Sequence, residues 1–325
     1  MRRARQRGVA LILALMVFAI VSGIAVNLLN TMEQTLSVAE FAQRETAQKE
    51  TLLGGEAWAM SWLASDELGS ESEAGINWSA PWQWTQQVFP LEGENRRLEI
   101  QIIERQSCLN VNALGDDELR EVTRQRLQRL SSELSLSDDW VNYLTDWIDA
   151  DQDWSASSSR EDEFYQGKQQ PYRTGDTAIV SASEWELLGL DEAVLQAIAP
   201  YVCALPNDAG VNVNRMSSVL INALLPDLDA DQQEQLEARI QTSGFMTLDD
   251  FLGLEALEDQ QLVAENWRVD VHFVDVYVTF MDQGYPYYLY SQLAKTDAGA
   301  IVPVARAFGP FDVLSKALLA AQESN

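Results

Sequence analysis

An unbroken apolar run from Val9 to Leu29 carries no charge. A helix of that length, rising about 1.5 Å per residue, covers roughly the 30 Å hydrocarbon core of a bilayer. Past Leu29 the pattern becomes amphipathic: Met32, Leu36 and Ala39 keep spacings of three and four, and no proline falls between Val9 and Trp78. The helix is therefore predicted to run on toward Leu63. Gly54-Gly55 costs about 1 kcal/mol per glycine against alanine and marks a bend or a close packing point rather than the helix end. Residues 70–90, with Trp78, Trp82 and Trp84, read as a loop with an edge strand.

Arg97 to Glu104 alternates apolar and polar, the period of a half-buried strand. From Asp116 to about Leu257 helical spacing takes over, with Leu119, Val122, Leu127 and Leu130 in one run and Trp140, Tyr143, Leu144 and Trp147 in another. Ser183 with Glu186 reads as a capping box, and Asp191 and Thr247 stand where N-caps belong. Alternation returns at Trp267. Val274, Val276, Val278 and Phe280 share a face, Gln283-Gly284 offers a turn, and Tyr285 to Leu293 and Ile301 to Ala307 complete an antiparallel meander. The class is α+β: a long N-terminal transmembrane and stalk helix, an antiparallel sheet body, and a large all-α domain inserted into the sheet portion.

Arg2, Arg3, Arg5 and Arg7 flank the apolar run on one side only, which holds the N-terminus in the cytoplasm and sends the rest outward. Three readings fit this start: a signal peptide cut after Ala25, an uncleaved anchor, or a short leader ending at Gly8. The formal charge of −28 with 46% hydrophobic content describes a cored protein whose surface repels nucleic acid and suits cations. His272 is the only histidine, and no serine-hydrolase elbow, zinc-protease motif, phosphate-binding loop or Cys-x-x-Cys appears. Enzyme chemistry is thereby reduced to a paired-carboxylate hydrolase.

The helical region echoes itself. Leu109-Asn-Val-Asn matches Val211-Asn-Val-Asn, each after a cysteine, Cys108 directly and Cys203 at a short distance. Asn112 and Asn214 are expected to cap the helix that follows, with Asn110 and Asn212 tying down the incoming chain. In an exported chain, Cys108 and Cys203 are expected to form a disulfide; two buried thiols are the alternative. Asp149, Asp151 and Asp153 alternate as at the start of an EF-hand, but Trp154 replaces the turn glycine and Arg160 the bidentate glutamate. With Glu161 and Asp162 close behind, the segment could gather carboxylates around calcium, a solvated acidic loop being the alternative.

Gly8 between a basic leader and a helix-forming apolar run resembles the type IV prepilin and pseudopilin signal. The resemblance implies that prepilin peptidase cuts after Gly8 and leaves Val9 as an N-methylated first residue. Together with the two Asn-x-Asn motifs, the run from Gly244-Phe245 to Phe251-Leu252, and Asp146-Trp-Ile-Asp-Ala-Asp followed by Glu161-Asp-Glu-Phe-Tyr, the chain resembles the K-type minor pseudopilins of type II secretion systems. The resemblance implies a leader over 1–8, a membrane and stalk helix over 9–65, a pilin-like αβ body over 66–108 and 267–325, and an inserted helical domain over 109–266. It also implies calcium at the acidic loop and a single-pass inner-membrane protein with its bulk in the periplasm. The implied partners are the I- and J-type minor pseudopilins and other pseudopilins, with the secretin and secreted substrates as further candidates. Most pilins carry glutamate at the fifth residue after the cut; here that position is Leu13, as the K type has it. The alternative function is an acidic periplasmic calcium-binding protein or hydrolase, anchored or released.

Overall fold

In the computed structural model the described residues are 4–64 and 85–323, apart from positions 182, 208, 259, 261 and 297. Trp78, Trp82 and Trp84 lie outside them. The chain divides into two compact units, Met1–Thr51 and Leu52–Asn325. Helix α1, Ala4–Ala64, is continuous for 61 residues. In the first unit its large apolar side chains from Leu11 to Phe41 are exposed, and this segment is long and apolar enough to cross a membrane.

In the second unit, α1 keeps Leu52, Gly55, Glu56, Ala59 and Leu63 buried, a spacing that forms one helical stripe. That stripe packs on a five-stranded antiparallel sheet built from β1, Thr85–Pro90, β2, Arg97–Glu104, and three later strands. Between β2 and those strands the chain forms β3, Leu109–Asn110, then α2, Arg120–Glu133, α3, Asp139–Ile148, α4, Asp162–Gln166, α5, Glu184–Leu187, and α6, Glu192–Ile198. It continues through β4, Val202–Cys203, β5, Val211–Asn212, α7, Ser218–Leu224, α8, Ala230–Thr242, α9, Leu248–Leu252, and β6, Trp267–Arg268. The sheet resumes with β7, Phe273–Asp282, β8, Tyr285–Lys295, and β9, Ile301–Phe308, and α10, Val313–Glu323, follows.

The sheet order is β1-β2-β7-β8-β9. Ile100 opposes Val278 and Ile102 opposes Val276, so the residues bordering the helical region are cross-strand neighbours. Leu98, Ile100 and Ile102 join Val274, Val276, Val278 and Phe280 against Leu52, Ala59 and Leu63 of α1. On the opposite face Tyr277 packs with Ile103 and with Leu318 of α10. The β7–β8 turn puts Gln283 and Gly284 at φ 52° and 90°, the left-handed pair a two-residue hairpin requires. An ion pair between a buried carboxylate and an exposed guanidinium fastens α1 to β9. The Arg306 guanidinium reaches both Glu56 oxygens, at 2.6 Å and 2.7 Å, and Ser291 donates to the same carboxylate.

Gly55 is where α1 comes closest to the sheet. A Cβ there would stand 2.7 Å from Val278 Cγ1, whereas one on Gly54 meets nothing within 4 Å. Gly54→Ala is therefore expected to stabilise by up to about 1 kcal/mol through helix propensity. Gly55→Ala should instead destabilise, since overpacking costs about 1–3 kcal/mol. Chemical denaturation of the two variants checks the opposite signs.

The structure departs from the sequence expectations at several places. Trp267–Arg268 pairs with Val211–Asn212 rather than joining the sheet, because the Trp267 indole is buried in the helical region's core. The inserted region therefore draws in residues 267–268. It is not purely α, since β3–β4 and β5–β6 form two short parallel ladders. Ser183 makes no capping hydrogen bond; Glu184 takes the backbone N–H groups of Val180 and Ser181 instead. Asp191 stands at an N-cap without a side-chain bond, while Thr247 forms a full capping box with Asp250. Helix α10, unforeseen in the sequence reading, closes the back of the sheet.

Candidate metal centre and the asparagine turns

The two Asn-x-Asn motifs build the same turn twice, with roles opposite to those expected. Asn110 Oδ1 accepts from Asn112 N at 3.2 Å, and Asn212 Oδ1 accepts from Asn214 N at 3.0 Å, so the first asparagine is the cap in each motif. The second is a buried bridge. Asn112 accepts from Ile179 N and donates to the Ile179 and Leu205 carbonyls. Asn214 accepts from Phe245 N and donates to the Phe245 and Val269 carbonyls. A carboxamide presents one acceptor and two donors in a plane, so it can replace a missing rung of backbone between two strands. In both turns the bridge follows a parallel ladder, Leu109 opposite Val202 and Val211 opposite Trp267.

The Cys108 and Cys203 sulfurs are bonded, with their Cα atoms 5.8 Å apart. The ladder explains why: it aligns Asn110 with Cys203, and Cys108 stands just ahead of it.

The acidic segment leaves α3. Asp146, fully buried at the end of that helix, accepts from Arg160 N at 2.6 Å, Ser159 Oγ at 3.2 Å and Ser155 N at 3.4 Å. Those bonds fold residues 155–160 back and bring Glu161 beside the helix end. Asp149, Asp151 and Glu161 then offer carboxylate oxygens that all lie within 4.8 Å of one another. Asp149 and Glu161 are buried, yet Asp149 Oδ1 and both Glu161 oxygens have no hydrogen-bond partner. Leaving buried carboxylate oxygens unpartnered is costly. Arg160 does not relieve them: its guanidinium lies 3.5 Å from the Tyr143 ring centroid and donates to the Leu188 and Gly189 carbonyls. Burial, then the charges of Asp151 and Asp146, push Asp149 up to about 6. Burial, then Asp146 and Asp149, push Glu161 up to about 8. Orphaned oxygens of two buried carboxylates, with the exposed Asp151 carboxylate beside them, fit a hard cation, and the triad could hold one.

Two residues expected in this set stand outside it. Asp153 is exposed, its backbone N–H bonded to Asp151 Oδ1 at 2.9 Å; this tight turn breaks the extended alternation on which its selection rested. Asp162 faces the other way, accepting from Thr174 N and Oγ1 and pairing with Arg173. Two acids not expected there, Asp146 and Asp176, add their fields to the site. Asp146 was legible as the residue one turn before Asp149 on the same helix face; Asp176 arrives only through the fold.

A helix able to cross a membrane, an antiparallel sheet resumed after a long helical insertion, and paired asparagine turns define a pilin-like protein with an embedded helical domain. The family model for type II secretion system protein K matches residues 107–207, the span from the first asparagine turn past the acidic segment. Type II secretion system protein K of Pseudomonas aeruginosa is 30% identical over 261 residues, covering 77% of each chain. That of Klebsiella pneumoniae is 28% identical, covering 85% of this chain and 88% of its own. The fold matches a chain of the GspK-GspI-GspJ complex from enterotoxigenic Escherichia coli with a TM-score of 0.64 at 19% identity, over 84% of this chain and 99% of that one. The chain belongs to the type II secretion system protein K family and is a minor pseudopilin of that system.

Proposed function

We propose that this minor pseudopilin caps the tip of the periplasmic pseudopilus, starting its assembly and limiting its length, as a single-pass protein of the inner membrane. The observation that carries the reading is the helical insertion between β2 and β7, which makes the head much bulkier than a sheet and stalk alone. A shaft subunit must let the next copy pass; this head obstructs it. Leu13, in place of the carboxylate that would meet a neighbour's terminal amine, supports the same position, and processing after Gly8 would leave Val9 first. The stalk's exposed Met32, Leu36 and Phe41 supply an apolar face for partner helices. The solved complex that this fold resembles pairs its K protein with GspI and GspJ, which makes I- and J-type minor pseudopilins the proposed partners. Calcium is the proposed ion at Asp149, Asp151 and Glu161, since an all-oxygen donor set suits a hard cation and offers zinc neither nitrogen nor sulfur. It would hold the acidic segment closed against its own repulsion.

Deleting residues 105–272 while keeping α1 and joining β2 to β7 tests the tip assignment. Secretion is expected to fail or pseudopili to lengthen. Normal secretion with pseudopili of normal length, or crosslinks spread along the shaft, would refute it.

A further inference from the structure

A cleft of about 60 Å³ opens between the two asparagine turns, lined by Asn110, Leu205, Gly210 and Val211 and, from above, by Arg126, Asn207 and Asn266. Since about 10–15 Å³ already admits a water, it has room for a small polar group. Arg126 is the unusual member. Helix α2 carries four arginines, and three are engaged: Arg120 pairs with Asp117, Arg124 pairs with Glu121, and Arg129 donates to the Ala223 carbonyl. Arg126 is half-buried in the cleft, and among the described residues no carboxylate or carbonyl meets it. Asn207 and Asn266 likewise spend no side-chain hydrogen bond among the described residues. In a chain with 50 acids against 22 basic residues, a desolvated guanidinium without a counter-ion is exceptional. Burial, then the neighbouring Arg129 charge, lowers the Arg126 pKa.

A guanidinium with adjoining amide donors matches a carboxylate, which takes two parallel N–H bonds from arginine. We propose that this cleft binds a carboxylate carried by another polypeptide, either a chain terminus or an Asp or Glu side chain. The rest of the surface repels an acidic partner, so the cleft selects for a segment with one well-placed carboxylate rather than for overall charge.

The test uses the full chain in detergent and three short peptides carrying a neutral dye, followed by fluorescence anisotropy. One is acetyl-Gly-Gly-Gly with a free terminal carboxylate, the second acetyl-Gly-Glu-Gly-amide, and the third the neutral acetyl-Gly-Gln-Gly-amide. At least one carboxylate peptide is expected to bind about tenfold or more tightly than the neutral one, and which of them does so identifies the source. Arg126→Gln should erase that advantage, whereas Arg124→Gln, the same charge change at a residue already paired, should keep it. Because Arg126 makes no hydrogen bond or ion pair among the described residues, Arg126→Gln should melt at or above the parent temperature. The proposal is overturned if neither carboxylate peptide outbinds the neutral one, if Arg126→Gln retains the advantage or Arg124→Gln loses it equally, or if Arg126→Gln lowers the melting temperature.

Discussion

Adding calcium to chelator-treated protein should raise its melting temperature, and the rise should be larger at pH 8.5 than at pH 5.5. The magnitude follows from mass action: at a thousandfold excess over the dissociation constant, a ligand of the native state contributes about 4.1 kcal/mol. The pH dependence follows from the raised pKa of Glu161, about 8 against an ordinary 4.5. In metal-free protein the folded state holds this proton more tightly than the unfolded chain. The associated stability is complete below about pH 4.5 and is lost as pH rises through about 8. Asp149, raised to about 6, acts in the same direction over a lower window. Metal-free protein should thus weaken toward alkaline pH through these two groups, and calcium, which needs the deprotonated ligands, should bind more strongly there. Glu161→Gln separates the terms: without calcium it should flatten the alkaline loss, and with calcium it should remove most of the stabilisation. Calorimetric scans with and without calcium at both pH values decide the matter. An unchanged melting temperature on adding calcium at pH 8.5 would rule out a structural metal.

Removing the Cys108–Cys203 bridge should cost on the order of 4–5 kcal/mol. The two residues are 95 positions apart, and closing a loop near that length removes about this much entropy from the unfolded chain. At roughly 2–4 °C per kcal/mol for a domain of this size, the Cys108→Ala, Cys203→Ala double variant should melt some 8–20 °C lower. Both cysteines are almost fully buried, so part of the loss adds from packing. The loop encloses the acidic segment. Calcium should therefore recover some of the lost stability, because at Asp149, Asp151 and Glu161 it would clamp residues inside the same loop. Thiol labelling of unfolded, unreduced protein gives the independent check: two reactive thiols would refute the bridge.

The strands of the sheet were legible because one buried face imposes strict alternation, as in Val274, Val276, Val278 and Phe280. The helical insertion was legible from its change of period. The repeated Asn-x-Asn announced two like turns, but not which asparagine does what. Capping and bridging use the same amide, and only the arrival of Ile179 and Leu205, or of Phe245 and Val269, decides between them. The carboxylate triad was half legible. Proximity in sequence proposed Asp153 and Asp162, yet a turn and a competing threonine redirected them, while Asp176 came from a distant loop. Glu56 with Arg306 escaped notice because a helix residue and a strand residue 250 positions apart leave no local pattern. Helix α10 escaped because a short amphipathic segment looks alike whether it packs or not.

The meeting of β2 with β7 sets an order of events as the chain emerges. Pairing these strands while residues 105–272 are unstructured would close a long loop at an entropic cost on the order of 4–5 kcal/mol. Once the helical region has folded, its own ends supply that closure: Arg105 N donates to the Phe273 carbonyl at 3.2 Å, and the Gln106 carboxamide accepts from the His272 and Phe273 backbone. A folded insertion would thus serve the β2–β7 pairing as a template. Until β2 joins β7, the stripe of α1 would lack the part of its surface that Leu98, Ile100 and Ile102 supply, so a subunit caught midway through folding would carry a stalk only partly covered.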